Sequence, residues 1–220
     1  CCMAHIQKLD AHLVDKIAAG EVIERPASIV KELVENALDA GARFIKISVE
    51  EGGKRKIQII DDGLGMTAED VSLCVERHAT SKITSEADLF SIHSFGFRGE
   101  ALPSIAAVSH LTIDSKNRDG NGVEGARVEV RGAETMPVRA VGCPLGTTVT
   151  VENLFFNTPA RRKFLKSDTV EAGHIQETVL RLALGSPDCG FELSIDGKRK
   201  LLAQPNKDPL QRLQELLRKE

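Results

Sequence analysis

The stretch Ala27–Gly41, A-S-I-V-K-E-L-V-E-N-A-L-D-A-G, sets the strongest constraint on how this chain can fold. At about 100° per residue, Ile29, Val30, Leu33, Val34, Ala37 and Leu38 fall on one half of a helix. Lys31, Glu32, Glu35, Asn36 and Asp39 fall on the other. A helix built this way must lay its apolar half on a core or a sheet. Ser28 is the expected N-cap, Pro26 just ahead of it suits the start of a helix, and Gly41 is placed for a left-handed C-cap.

The polar half carries three carboxylates, one carboxamide and one cation. Glu32 and Asn36 are four apart and share a stripe. A carboxylate that takes a proton from water, beside an amide oxygen that binds a hard cation, suits metal-assisted hydrolysis. On this helix alone, a solvated acidic face is the plainer reading.

What the helix packs on follows from the next segments. Phe44–Glu50 and Lys56–Asp61 alternate apolar and polar around Glu51-Gly52-Gly53-Lys54, the pattern of a β-hairpin. The second strand runs into Asp61-Asp62-Gly63-Leu64-Gly65-Met66. Glycines here let a flat ring approach the backbone, and the Asp61 carboxylate can accept from an exocyclic amine. Taken alone, such a D-x-G-x-G is usually only a turn. Thr67–Arg77 reads as a helix capped by Thr67. Residues 78–95 have no clean period and exceed an ordinary connection, as lids and binding loops do; they include Thr80, Ser81 and Lys82. This loop closes in Gly96-Phe97-Arg98-Gly99, glycines at the mouth of a helix whose exposed N–H groups favour an anion. Pro103 falls in that helix's first turn.

From His110 the chain is strand-rich: His110–Lys116, Gly125–Arg131 and Thr147–Asn153 alternate, with Thr147 near the mouth of the third strand. Thr158 and Pro159 then open a short helix in which Phe164 and Leu165 are expected to face inward. Arg161, Arg162, Lys163 and Lys166 make a basic knot, either a nucleic-acid contact or a solvated face. A long helix, Asp168–Leu184, a last hairpin turning at Asp196-Gly197, and a helix from Leu210 complete the chain.

With 41% hydrophobic and 28% charged residues, the composition is that of an ordinary soluble protein, and no apolar run approaches a membrane span. Net charge is −3, which weighs against a broad DNA-coating surface but not against a local basic patch. Trp and Tyr are absent, so base stacking has only Phe and His to draw on. Five cysteines without metal-ligand spacing read as free thiols of a reducing, intracellular compartment, cytoplasmic in a bacterium or nuclear in a eukaryote.

Four individually weak signals occur in one order: E-L-V-x-N-A-x-D-A, D-x-G-x-G, a long loop closed by G-F-R-G-E-A-L, and G-T-T on a strand. Together they resemble the ATPase superfamily of gyrase B subunits, heat-shock chaperones, histidine kinases and MutL mismatch-repair proteins. The finer resemblance is to the MutL family, carried by residues 17–41, R-H-A-T-S-K-I (77–83), G-F-R-G-E-A-L (96–102) and F-N-T-P-A-R-R-K-F-L (156–165), and it spans about residues 6–203.

The resemblance implies an α+β fold: a two-layer α/β sandwich of the Bergerat type, with helices on one face of a mixed, mostly antiparallel sheet. It implies ATP and Mg²⁺ as cofactors. Glu32 is then the general base, and Asn36 the Mg²⁺ ligand. Asp61 accepts from the adenine amino group with Thr147 nearby through water, and Gly63, Gly65 and Met66 border the base. Thr80, Ser81, Lys82 and Gly96, Phe97, Arg98 and Gly99 form a phosphate lid. Relatives commonly carry Asn where this chain has Asp62, whose side chain is expected to matter less than that of Asp61.

The same resemblance divides the chain into an N-terminal arm (1–20), an ATP-binding domain (21–205) and the start of a linker or helix (206–220) toward a second subdomain. It implies ATP-driven dimerisation of N-terminal halves, with a mismatch-recognition protein and DNA as further partners and no membrane. A nucleotide-binding module with negligible hydrolysis, and a DNA-binding module through Arg161, Arg162 and Lys163, are the alternatives.

Overall fold

The computed structural model describes residues 23–77, 79, 100–119, 124–132, 134–206 and 208–217. The N-terminal arm, with its expected short helix, and the lid residues Thr80, Ser81, Lys82, Gly96, Phe97, Arg98 and Gly99 lie outside the described residues.

The central helix, α1 (Pro26–Asp39), begins three residues before the start that a Ser28 cap would set. Pro26 occupies its first turn and Arg25, in extended conformation, is the N-cap. Ser28 is therefore not the cap: its N–H bonds the Arg25 carbonyl at 3.0 Å from inside the first turn. The proline has no N–H to satisfy and its φ is already helical, so it starts the helix without a side-chain cap. At the other end Gly41 takes φ +72° as expected. Gly41 N–H bonds Leu38 O at 2.9 Å and Ala42 N–H bonds Ala37 O at 3.1 Å, the two bonds of a Schellman stop.

Strands β1 (Phe44–Glu50) and β2 (Lys56–Asp61) form the expected hairpin. Helix α2 (Ala68–Leu73) has the expected Thr67 cap, reinforced by Asp70, but ends well before Arg77. Helix α3 (Ala101–Ala107) leads into β3 (His110–Lys116), β4 (Gly125–Arg131), the short β5 (Glu134–Thr135) and β6 (Arg139–Val141), and β7 (Gly146–Glu152). Helices α4 (Pro159–Phe164) and α5 (Asp168–Gly185), the hairpin β8 (Gly190–Ile195) and β9 (Lys198–Ala203), and α6 (Pro209–Leu217) follow.

Among the described residues all nine strands join one sheet, in the order β5-β4-β3-β7-β2-β1-β8-β9, with β6 also paired to β4. Among the described residues only the β1–β8 pair is parallel, so the sheet is mixed and mostly antiparallel, as expected.

Alternation along each strand puts one set of side chains on a single buried face. Register aligns that face into rows across six strands. One row reads Leu193, Ile47, Ile59, Val149, Ile113, Val128, and the next Ile195, Val49, Ile57, Val151, Leu111, Val130. All twelve side chains are buried. Each contributes about 1.5–3 kcal/mol of burial free energy, and together they specify the register, because a one-residue slip would turn a whole strand's apolar set to water. The opposite face carries polar pairs, Asp114 with Arg127 and Lys46 with Glu192 among them.

Helices α1 and α5 pack on each other. One residue of α1 departs from the helical wheel: Glu35, expected on the solvated half, is 7% exposed and pairs with Lys31 at 2.9 Å. With eight of its fourteen residues buried, α1 is covered over more than its apolar stripe.

A second departure concerns Phe164, which is 82% exposed instead of inward. Helix α4 buries none of its six residues, and at Leu165 the backbone turns extended, so Leu165 packs on the core while Phe164 does not. Arg162 and Lys163 are exposed beside it. Arg161 is half-buried, its guanidinium 5.8 Å from the Phe155 ring centroid.

The last helix is anchored by Arg212, which is 0% exposed. Its guanidinium donates to Ala183 O (3.1 Å), Gln204 O (2.6 Å), Ser186 O (3.4 Å) and Cys189 O. It thus caps the C-terminal carbonyls of α5 and holds the β8–β9 hairpin in one grip.

Candidate functional site

The third row on the buried face differs from the other two. It reads Phe191, Ile45, Asp61, Thr147, Ser115, Ala126: three adjacent strands place a carboxylate and two hydroxyls where the neighbouring rows place Ile, Val and Leu. An apolar core has no use for such a row.

Asp61 ends β2 and is 8% exposed. Burial raises its carboxyl from the ordinary 3.8 to about 6, against hydrogen bonds from the Gly63 and Thr147 amides that favour the ionised form, with Asp62 nearby adding to the rise. Gly63 N–H donates to Asp61 Oδ1 at 2.9 Å. Beside it, Ser115 Oγ lies 2.8 Å from Thr147 Oγ1, receives the Met66 N–H at 2.8 Å, and meets Gly146 O at 3.0 Å.

The loop after Asp61 is clamped on every side. Leu64 N–H bonds Ala40 O at the end of α1, and Arg118 N–H bonds Leu64 O, both at 2.9 Å. The Arg118 guanidinium reaches Asp62 O at 2.5 Å. The Asp62 carboxylate accepts from Arg43 N and Phe44 N at 2.7 and 2.9 Å, which makes it a tie for the start of β1.

The glycines of this loop answer first to the chain's own backbone. A Cβ on Gly65 (φ +69°) would lie 2.1 Å from Lys116 O, and one on Gly146 (φ +98°) 2.1 Å from Asp61 O. A Cβ on Gly63 would meet Ala40 O at 2.9 Å.

Because the loop is bonded to Ala40, the stripe on α1 has a fixed relation to Asp61. At about 1.5 Å per residue, Asn36 stands roughly 6 Å and Glu32 roughly 12 Å back along the helix from Ala40. Asn36 is half-buried. The Glu32 side chain is 27% exposed, and Lys31 Nζ approaches it to 3.5 Å.

One end of the site can thus read a polar ring edge, and the other carries a carboxylate open to water. Sequence reasoning reached Asp61, Thr147, Glu32 and Asn36, and the fold arranges them along one helix and one sheet row. The lid residues fall outside the described residues. The basic Arg161, Arg162 and Lys163 stand on α4, an element separate from the three strands that carry the Asp61 row.

Sequence reasoning passed over Ser115. The signal was present: Leu111, Ile113 and Ser115 share one face of β3, and the third breaks the apolar pattern.

Residues 24–137 match the family described as "Histidine kinase-, DNA gyrase B-, and HSP90-like ATPase". Among solved structures, the Aquifex aeolicus MutL ATPase domain complexed with ADP superposes with a TM-score of 0.74 at 34% identity, over 89% of this chain and 69% of that one. The chain belongs to the MutL family. It corresponds to the N-terminal ATPase domain, and its sandwich is the fold of that family. DNA mismatch repair protein MutL of Heliobacterium modesticaldum is 57% identical over 212 residues, 96% of this chain and 32% of the relative. The MutL of Syntrophotalea carbinolica is 53% identical over 215 residues, 98% of this chain and 34% of the relative. The chain therefore spans about a third of the length of these MutL relatives.

Proposed function

We propose that this domain binds ATP with Mg²⁺ and hydrolyses it. The observation that carries the reading is the polar row Asp61–Thr147–Ser115 on an otherwise apolar face, lying at the C-terminal end of a helix that presents Glu32 from its middle. The roughly 12 Å from Ala40 back to Glu32 suits a ligand with a flat ring at one end and a reacting phosphate at the other. The related Aquifex aeolicus domain complexed with ADP supports the same ligand class.

Asp61 accepts from the adenine amino group, with Thr147 beside it and Gly63, Gly65 and Met66 shaping the wall. Glu32 takes a proton from the attacking water onto its carboxylate oxygen. Asn36 offers an amide oxygen one turn from Glu32, a hard donor that fits Mg²⁺. When bound, Mg²⁺ neutralises phosphate charge. Thr80, Ser81, Lys82 and the Gly96–Gly99 segment close over the phosphates.

In the whole protein, ATP binding orders this lid and drives dimerisation of N-terminal halves. That acts as the switch through which a mismatch-recognition protein and DNA are engaged, inside the cell and away from membranes. A DNA contact through Arg161, Arg162 and Lys163 is favoured by one observation: exposed Arg162 and Lys163 flank an aromatic ring, Phe164, that is itself almost fully exposed. A steep fall of DNA affinity with salt, lost on reversing these charges, tests it.

The deciding experiment is calorimetric titration with ADP and with a non-hydrolysable ATP analogue, with and without Mg²⁺, followed by turnover assays on Glu32→Ala. One Mg²⁺-dependent site per chain, and a Glu32→Ala variant that binds but does not turn over, are expected. Unchanged turnover in that variant rules out Glu32 as the base.

A further inference from the structure

We propose that Ser115 is a positioning residue that fixes the polarity of the Thr147 hydroxyl, so that the row presents only acceptors and selects a ring bearing an exocyclic amino group over one bearing a carbonyl. The inference rests on the nucleotide reading above and deepens it.

The argument is a count of hydrogens. A serine hydroxyl has one proton to give and two lone pairs to receive. Ser115 Oγ, 0% exposed and out of reach of water, has three neighbours. Met66 N, at 2.8 Å, can only donate, and Gly146 O, at 3.0 Å, can only accept. Thr147 Oγ1, at 2.8 Å, can do either. If Ser115 gave its proton to Thr147, its oxygen would face the Gly146 carbonyl oxygen at 3.0 Å with no hydrogen between them.

A single arrangement satisfies all three contacts. Met66 N–H and Thr147 O–H both donate to Ser115 Oγ, and Ser115 O–H donates to Gly146 O. Thr147 has then spent its proton inside the protein and shows the site only lone pairs. Next to it in the row, the Asp61 carboxylate also accepts only. Two acceptors side by side match an amino group and repel a carbonyl, because an unmatched polar group in a dry site loses far more than a matched one gains.

The test compares ADP with inosine diphosphate, in which a carbonyl replaces the amino group. Titrations use the wild type, Ser115→Ala, Ser115→Thr, Thr147→Val and the Ser115→Ala/Thr147→Val double variant. The wild type is expected to prefer ADP. Ser115→Ala frees the Thr147 proton to face the site and should lower that preference by about tenfold, the worth of one redirected hydrogen bond. Ser115→Thr, which keeps the hydroxyl, should restore it. The double variant should lose no more preference than Thr147→Val alone, since Ser115 acts only through Thr147.

Equal weakening of both ligands by Ser115→Ala, with the preference intact, would show a merely structural role and overturn the proposal. Additive losses in the double variant would do the same. If Ser115→Ala does not fold, Ser115→Cys serves in its place, since a thiol is a poor acceptor for the Thr147 proton. A wild type that binds neither diphosphate overturns the nucleotide reading itself, an outcome distinct from failure of the Ser115 role; one that binds both alike leaves that reading standing and overturns the selection proposed here.

Discussion

Replacing Asp61 by Asn separates what this carboxylate does for folding from what it does for binding. Burial holds its carboxyl at about 6, compared with 3.8 for an ordinary Asp. An acid whose folded value lies above its unfolded value takes up protons on folding. Its charge therefore opposes folding, not at all below about pH 4 and fully above about pH 6. The difference of about two pH units, at about 1.4 kcal/mol each, amounts to about 3 kcal/mol. An Asn variant carries no such charge. Urea denaturation of both proteins in the ligand-free state, from pH 4 to pH 8, should show the stability difference moving about 3 kcal/mol in the variant's favour as pH rises. Any constant effect of the amide on the Gly63 and Thr147 N–H bonds cancels from that slope. The same substitution should weaken ADP far more than it weakens pyrophosphate. A stability difference that stays flat from pH 4 to pH 8 would refute the claim that Asp61 is held as a desolvated charge.

Three further outcomes are expected. Arg212→Met should destabilise the fold by about 3 kcal/mol or more, since the carbonyls of Ala183, Gln204, Ser186 and Cys189 lose a common charged donor; a urea midpoint within about 1 kcal/mol of the parent would contradict the anchoring role. Gly65→Ala, with a left-handed φ and a Cβ 2.1 Å from Lys116 O, should cost about 2 kcal/mol and reduce ADP affinity at least tenfold, measured by denaturation and calorimetry. Phe164→Ser should stay within about 0.5 kcal/mol of the parent in thermal unfolding, because that ring is exposed; a larger loss would place it in the core.

Much of this architecture was legible from local pattern. The 3.6-residue period gave α1, the two-residue period gave the β1–β2 and β8–β9 hairpins, and turn residues marked Gly41 and Asp196-Gly197, all with positive φ in the structure. Elements that depend on distant neighbours were not. A helical wheel has no knowledge of tertiary neighbours, so it left Glu35 in water. The pairing β2–β7 joins segments more than eighty residues apart, and together with β3–β7 it creates the row that sets Ser115 beside Thr147 and Asp61. Ser115 had no visible role until register gave it neighbours. Phe164 was misplaced because α4 buries none of its own residues, and the chain turns inward only beyond it, at Leu165.

The grip of Arg212 has a mechanical consequence. A single planar guanidinium spans the end of α5, the turn into β8 and the exit from β9, so α6 cannot swing independently of any of them. Helix α5 in turn lies against α1, the helix that carries Glu32 and Asn36. Close-packed interiors shift as units and do not bend smoothly. The α1–α5–α6 stack is therefore a stiff crank: a small rotation of α1 at one end appears as a displacement of α6 at the other, without slack between them.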